Sequence, residues 1–109
     1  LQTPLATEER CTVTIRAAGG HSYSAFGRPN AIHAMGRAIA ALADLEVPDT
    51  PRTTFSVGIV EGGTTVNAMA EEASFQIDMR SLDPAYLGAL DSAFRIAVEQ
   101  AVAAEERRW

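Results

Sequence analysis

The side chains best suited to chemistry in this sequence are a histidine, an asparagine and an arginine. His21 follows Gly19-Gly20, Asn67 ends a Gly-Gly-Thr-Thr-Val-Asn segment, and Arg80 ends Asp78-Met79-Arg80. An imidazole and an amide can donate hydrogen bonds to a developing oxyanion, and a guanidinium can hold a carboxylate with two parallel bonds. If the three side chains converge, they form part of an active site.

Each of these residues also has an ordinary structural explanation. A loop histidine such as His21 is usually exposed and idle, and Asn67 could satisfy backbone groups of its own turn. Arg80 could pair with Asp78 on the same strand, in an exposed ion pair of little energetic value. The pair Gly62-Gly63 indicates either a turn with positive φ or a close approach of the backbone to a ligand.

The remaining residues do not complete an active site. His21, His33 and Cys11 do not match a compact tetrahedral set, so no metal site is predicted in this chain. Ser22 and Ser24 lie near His21, but no third group is placed to orient the imidazole for a serine nucleophile. The glycine-rich segments lack the lysine of a phosphate-binding loop. The chain therefore looks like part of an active site rather than a whole one.

Composition narrows the classes of protein further. A length of 109 residues fits one domain, and a net charge of −5 argues against nucleic acid as a partner. The apolar runs are far shorter than the ~20 residues of a membrane span. The first residues lack the features of a signal peptide, and the missing initiator Met suggests a fragment or a processed chain. Cys11, the single cysteine, is expected to be a buried structural thiol, and it favours a cytoplasmic location.

Three segments alternate between apolar and polar residues, which predicts strands. They run over Cys11–Ala17, Thr53–Val60 and Ala73–Ser81. The expected inward-facing residues of the second and third strands are Phe55, Val57 and Ile59, then Phe75, Ile77 and Met79.

Two further segments have the three- and four-residue apolar spacing of a helix. Asn30 is the expected N-cap of the first helix, and Asp83 of the second, with Pro84 at its first position. The apolar stripes are Ile32, Met35, Ile39, Leu42 and Leu45 in the first helix, and Leu87, Leu90, Phe94, Ala97, Val98 and Ala101 in the second.

The resulting β-α-β-β-α order predicts an α+β fold. We expect a two-layer sandwich of the ferredoxin-like split βαβ type, with an antiparallel sheet and two helices on one face. Such a fold normally has a fourth strand after the second helix, beside the first strand. That strand is missing from the order predicted for residues 1–109.

Three motifs in the same order resemble one enzyme superfamily. They are Gly19-Gly20-His21-Ser22-Tyr23-Ser24 with Gly27-Arg28-Pro29-Asn30-Ala31-Ile32, the segment from Val57 to Asn67, and Asp78-Met79-Arg80-Ser81. The chain resembles the lid, or dimerisation, domain of the zinc-dependent aminoacylase, glutamate carboxypeptidase and succinyl-diaminopimelate desuccinylase superfamily. The resemblance divides the chain into a linker from a catalytic domain, residues 1–10, and a lid domain, residues 11–109.

The resemblance also implies roles for the candidate residues. His21 would be catalytic, reaching across a homodimer to stabilise the oxyanion in the partner's active site. Asn67, Arg80, Gly62 and Gly63 would bind or shape the substrate, with Arg80 on its carboxylate. Two zinc ions would lie in the missing catalytic domain, so the isolated chain should be inactive. The lids would pair through a sheet edge and its neighbouring helix.

The implied activity is hydrolysis of an amide bond next to a free carboxylate, in an N-acyl amino acid or a short peptide, with neither nucleic acid nor a membrane as partner. One alternative is a free-standing α+β regulatory module that binds a small molecule. A second alternative is a dimerisation module that contributes nothing to an active site.

Overall fold

The computed structural model describes residues 5–109, and its main sheet is built from three ten-residue strands. In chain order the elements are β1 (Thr7–Arg16), β2 (Gly20–His21), α1 (Ala31–Ala43), β3 (Thr53–Gly62), β4 (Ala68–Met69), β5 (Glu72–Ser81) and α2 (Pro84–Arg108). The short strands β2 and β4 pair with each other in a separate two-stranded sheet.

Strand β5 is the centre of the main sheet, whose order is β1-β5-β3 with both pairs antiparallel. Phe75, Ile77 and Met79 are each at most 1% exposed. They form the middle of the core beneath both helices, which also pack against each other. The opposite face of β5 carries polar residues. The predicted α+β sandwich, with an antiparallel sheet and two helices on one face, is confirmed.

Strand β3 contains an irregularity that the alternating pattern did not reveal. Val57 pairs with Ile77, but Ile59 pairs with Gln76, so the register shifts at Gly58. A bulge of this kind inserts one residue and reverses the faces of those that follow. The prediction that Ile59 shares the inward face of Val57 was therefore wrong, and Ile59 is 50% exposed.

Both predicted helix caps are present. The Asn30 side chain accepts a hydrogen bond from the backbone N–H of His33, and the Asp83 side chain accepts one from Ala85. Within α1, however, the stripe is rotated from the predicted one. Ile32 is 37% exposed, and small residues take its place in the core because α1 packs against α2 as well as the sheet. The buried residues of α1 are Ala31, Ala34, Met35, Ala38 and Leu42.

The first strand begins at Thr7, not at Cys11 as predicted. Its early residues are polar, but backbone pairing with β5 continues to the register Thr7↔Ser81. The predicted linker over residues 1–10 thus includes residues of a strand, and its first four residues lie outside the described part of the chain.

Within residues 5–109 the main sheet has three strands, and β1 is at one of its edges. That edge is where the split βαβ arrangement places a fourth strand. Neither helix of this part of the chain has the length and apolar character needed to cross a bilayer.

Candidate functional site

The structure brings His21 and Asn67 together. His21 lies in β2, where it pairs with Ala68 of β4. The next residue, Ser22, donates its backbone N–H to the Asn67 carbonyl oxygen at 2.9 Å. The small β2–β4 sheet therefore places the imidazole and the amide at the same end of the molecule, although they are far apart in sequence.

Gly20 allows the chain to fold back immediately beside His21. Its φ is +124°, and a Cβ there would lie 2.7 Å from the Cβ of Ala25. The backbone N–H of Ala25 donates to the His21 carbonyl oxygen at 2.9 Å, which closes the turn. No larger residue fits this close approach without a shift of the loop.

One hydrogen bond determines how the imidazole is presented. The backbone N–H of Tyr23 donates to His21 Nδ1 at 3.1 Å. Because Nδ1 is an acceptor there, the neutral ring carries its proton on Nε2. His21 is exposed, so Nε2–H is available to donate to a ligand. A donor of this kind suits an oxyanion.

Asn67 is presented in a similar way. Its side-chain Oδ1 accepts a hydrogen bond from the Thr65 hydroxyl at 3.0 Å, and the residue is exposed. Because Oδ1 is hydrogen-bonded within the turn, the amide N–H groups of Asn67 face outward. His21 and Asn67 thus offer two hydrogen-bond donors at the same end of the molecule.

Gly62 and Gly63 lie at this same end, where β3 finishes. A Cβ on Gly62 would lie 3.1 Å from both the Cα and the Cβ of Ala73, and Gly63 has a φ of +92°. Both glycines line an open groove of about 1060 Å³ between the main sheet and the small sheet, as does Gly20. The positive φ is therefore present at Gly63, and the close approach at Gly62 is to Ala73 of β5.

Arg80 lies at the opposite end of the sheet. It is seven positions beyond Ala73 along β5, or about 24 Å at roughly 3.4 Å per residue. Its Nε donates to the Asp78 carboxylate at 3.0 Å, and its Nη2 lies 3.5 Å from Glu8. The three candidate side chains therefore do not converge within one chain, because an extended strand separates Arg80 from the other two.

The described residues do not fit a two-zinc site. The only cluster of three potential metal ligands among residues 5–109 is Glu9, Cys11 and Asp91, whose candidate ligand atoms lie within 4.8 Å of one another. Burial, together with the neighbouring carboxylates, raises the pKa of both Glu9 and Cys11. Three ligand-bearing residues are also too few to hold a pair of zinc ions. The Asp91 carboxylate also forms an ion pair with Arg95, whose Nε lies 3.0 Å from Asp91 Oδ2.

One buried charged residue, Glu105, was not predicted from the sequence. It is 2% exposed and follows Ala97 and Ala101 at four-residue spacing, which was the available signal that it faces inward. Burial raises the pKa of its carboxyl group, but hydrogen bonds from Asn30, Arg37 and Trp109 outweigh burial and hold that pKa below its ordinary value. Glu105 is therefore a buried, charged and fully engaged carboxylate.

Three solved structures show the same fold at low sequence identity. An aminobenzoyl-glutamate utilization protein from Klebsiella pneumoniae aligns with a TM-score of 0.87 at 18% identity, covering 94% of this chain and 26% of its own. A hydantoinase/carbamoylase family amidase from Burkholderia ambifaria gives 0.83 at 21%, covering 92% and 25%. The aminopeptidase PepT from Bacillus cereus gives 0.76 at 25%, covering 88% and 26%. The chain spans about a quarter of each.

A comparison with curated proteins finds no match. The sequence itself matches one family, described as the peptidase dimerisation domain, over residues 9–106. This match includes all three motifs that carried the resemblance. It also covers both helices and all three long strands, except for the first two residues of β1 and the last two of α2. The chain therefore belongs to the peptidase dimerisation domain family.

Proposed function

We propose that this chain is the dimerisation and lid domain of a metal-dependent hydrolase, which cleaves an amide bond next to a free carboxylate in an N-acyl amino acid or a short peptide. The observation that carries the proposal is the placement of His21 and Asn67 at one exposed end, where both side chains have free N–H groups. The names of the similar structures refer to aminobenzoyl-glutamate, an amidase and an aminopeptidase, which supports this substrate class.

In this proposal His21 is the catalytic donor. Its Nε2–H would bind the carbonyl oxygen of the scissile amide and stabilise the negative charge that develops there, with Asn67 as a second donor. A fixed donor of this type is worth about 10²–10³ in rate. Gly62 and Gly63 keep side chains out of the groove, so that substrate can approach the backbone.

The sheet has two edges through which a homodimer could form, and their residues differ. β1 carries Glu8, Glu9, Arg10 and Arg16, whereas β3 carries only one charged residue, Glu61. Charged side chains protect an edge strand from pairing, and exposed apolar ones favour it. Ile59 and Val60 of β3 are 50% and 54% exposed. We therefore assign the homodimer interface to β3, with Ile32 of α1 beside it.

Pairing through β3 would reunite the separated residues. Two sheets that join by a two-fold axis, with their helices on the same side, must pair their edge strands antiparallel. The His21 end of one subunit then lies at the same end as the partner subunit's Arg80. The β5 strands of the two subunits would be three strand spacings apart, or about 14 Å, which is less than the roughly 24 Å that separates the two ends of one β5. One site would thus receive His21 and Asn67 from one subunit, and a carboxylate-binding arginine from the other.

The metal chemistry belongs to the part of the enzyme outside this chain. The described residues do not fit a pair of zinc ions, so we place both ions in a separate catalytic domain, where they would activate the attacking water. The isolated chain is then expected to be inactive. A cytoplasmic location remains a prediction from its single cysteine.

The decisive experiment is hydrolysis of a panel of N-acyl amino acids and dipeptides by the full-length parent enzyme, in parallel with its His21→Ala variant. We expect kcat to fall about 10²–10³-fold while the dimer is retained. His33→Ala is the matched control, because His33 is an exposed residue on α1. Its turnover should equal that of the parent.

Two results would contradict the proposal. Unchanged turnover in the His21→Ala enzyme would reduce the domain to a dimerisation module. Micromolar binding of an amino acid to the 109-residue chain alone, measured by calorimetry, would favour the free-standing regulatory module instead.

A further inference from the structure

The Glu105 carboxylate joins three separate segments of the chain. It accepts hydrogen bonds from the Asn30 backbone N–H at 2.9 Å, from Arg37 Nε at 2.9 Å and from Trp109 Nε1 at 3.0 Å. Asn30 begins α1, and Arg37 lies one to two turns further along it. A buried carboxylate needs such partners, since an unpaired one is strongly disfavoured. The end of α2 is thereby fixed to the start of α1.

The same carboxylate holds the 22–29 loop, which connects His21 to α1. Asn30, the N-cap of α1, directly follows this loop. In the middle of the loop, the Phe26 ring meets the Trp109 ring edge-on, with centroids 5.1 Å apart and an interplanar angle of 81°. Glu105 therefore holds the loop at its end directly, and at its middle through Trp109.

The 22–29 loop in turn determines the orientation of the imidazole. The Phe26 backbone N–H donates to the Tyr23 carbonyl oxygen at 3.4 Å, and the Tyr23 N–H donates to His21 Nδ1 at 3.1 Å. Ala25 also bonds the His21 carbonyl oxygen. A continuous series of contacts thus runs from Glu105 through Trp109, Phe26 and Tyr23 to the ring of His21.

We propose that Glu105 is a positioning residue for His21: it fixes the 22–29 loop so that Tyr23 keeps Nδ1 occupied and Nε2–H directed outward. Its importance for turnover rests on the proposed function, but the coupling between Glu105 and the imidazole does not. A glutamine at this position would present one acceptor and an amide N–H₂ group to three donors, so it should weaken the coupling without changing the size of the side chain.

The coupling can be measured in the 109-residue chain by ¹⁵N NMR of the histidine ring. A His33→Gln background leaves His21 as the single imidazole, because the chain has two histidines. The ring nitrogens resonate far apart when one tautomer dominates, and move together when the two tautomers exchange. We expect wide separation in this background, and a reduced separation after Glu105→Gln. Glu106→Gln is the control, with the same charge change at an exposed neighbouring position.

Phe26→Ala provides a second variant that should not unfold the protein, because Phe26 is 71% exposed. The substitution interrupts the series of contacts far from the core. We expect the ¹⁵N chemical shifts of the two His21 ring nitrogens to move closer together, as in Glu105→Gln. The fluorescence of Trp109, the single tryptophan, should change with it. Unchanged His21 resonances in a folded Phe26→Ala chain and a folded Glu105→Gln chain would overturn the inference.

Kinetics of the full-length parent separate this inference from the proposed function. If both hold, Glu105→Gln lowers kcat with little change in KM, and Glu106→Gln changes neither. If His21→Ala leaves turnover intact while Glu105→Gln still shifts the His21 resonances, the proposed function fails and the positioning role stands. If His21→Ala abolishes turnover but Glu105→Gln leaves both kcat and the resonances unchanged, the positioning role fails.

Discussion

Individual hydrogen bonds decide which atoms of the candidate residues are free to act. In His21 and Asn67 the acceptor atoms, Nδ1 and Oδ1, are occupied by Tyr23 and Thr65, which leaves the N–H groups free. Arg80 is engaged differently, through exposed contacts with Asp78 and Glu8. Exposed ion pairs are worth about 0–1 kcal/mol. A carboxylate of the substrate class proposed above would therefore displace these contacts at little cost.

Glu105 leads to a prediction about stability and pH. Its pKa is lower in the folded chain than in the unfolded one, because three N–H donors favour the ionised form. The charged group facing it from α1 is Arg37, and Arg108 lies over the Trp109 ring. The ionised carboxylate thus stabilises the fold at pH above about 4.3. This stabilisation is lost as the pH falls through the folded-state pKa.

Urea unfolding of the 109-residue chain measures this effect. At pH 7 we expect Glu105→Gln to lower the free energy of unfolding by about 1–3 kcal/mol, because buried donors lose a charged acceptor. At pH 3 the difference from the unmodified chain should shrink. A difference that is the same at both pH values would show that the carboxylate charge is not what stabilises this contact. Glu106→Gln should have little effect at either pH.

At the scale of the elements, backbone geometry distinguishes glycines that look alike in the sequence. Gly20 has a positive φ and leaves no space for a Cβ, whereas Gly36 lies in α1 with nothing within 4 Å of a Cβ. The first glycine is required by the turn beside His21. The second only adds conformational freedom to the unfolded chain, which disfavours folding.

The two positions should respond to alanine in opposite directions. We expect Gly36→Ala to raise the free energy of unfolding by about 0.5–1 kcal/mol. Gly20→Ala should lower it by about 1–3 kcal/mol, through strain at its φ and the contact with Ala25. Chemical denaturation measures both values. A stabilised Gly20→Ala chain would show that the turn beside His21 is differently built.

Strand β5 allows a comparison between the two faces of the sheet. Phe75→Ala should lower the free energy of unfolding by about 3–5 kcal/mol, because it opens a cavity at a residue that is 1% exposed. Gln76→Ala, on the exposed face, should change it by less than about 0.5 kcal/mol. If both substitutions lowered the free energy of unfolding by similar amounts, the core could not lie on one face of the sheet only.

For the whole molecule, the important feature is that the candidate residues lie at two ends of one sheet. In the homodimer proposed above, antiparallel pairing through β3 would bring the two ends together, because the second copy reverses the direction of the sheet. The distribution of exposed apolar side chains supports β3 for this pairing, and the charges on β1 disfavour that edge.

The interface can be tested with a matched pair of isoleucines. Ile59 of β3 and Ile96 of α2 are 50% and 52% exposed. We expect Ile59→Lys to shift the full-length enzyme from dimer to monomer, because two-fold symmetry brings the new charges close together. Ile96→Lys should leave the dimer intact. Sedimentation velocity distinguishes the two states. A dimer that survives Ile59→Lys and dissociates with Ile96→Lys would place the interface on α2.

Local patterns were sufficient for much of the fold. The inward face of β5 and the caps at Asn30 and Asp83 follow from residue type and spacing alone. The predictions failed where a contact distant in sequence decides the outcome. Pairing with β5 extends β1 to Thr7, and the packing of α1 on α2 exposes Ile32.

Residue types and their spacing were enough to predict the family, the α+β fold and the kinds of side chain available for chemistry. Which of these side chains lie close together depends on the tertiary structure: the β2–β4 pairing sets His21 opposite Ala68, next to Asn67, and β5 separates both from Arg80. The tertiary structure also identified Glu105, whose three donors come from positions as far apart as Asn30 and Trp109. The physical reason is that composition and periodicity report the environment of each segment. Distances between segments depend on the pairing and packing of the whole chain.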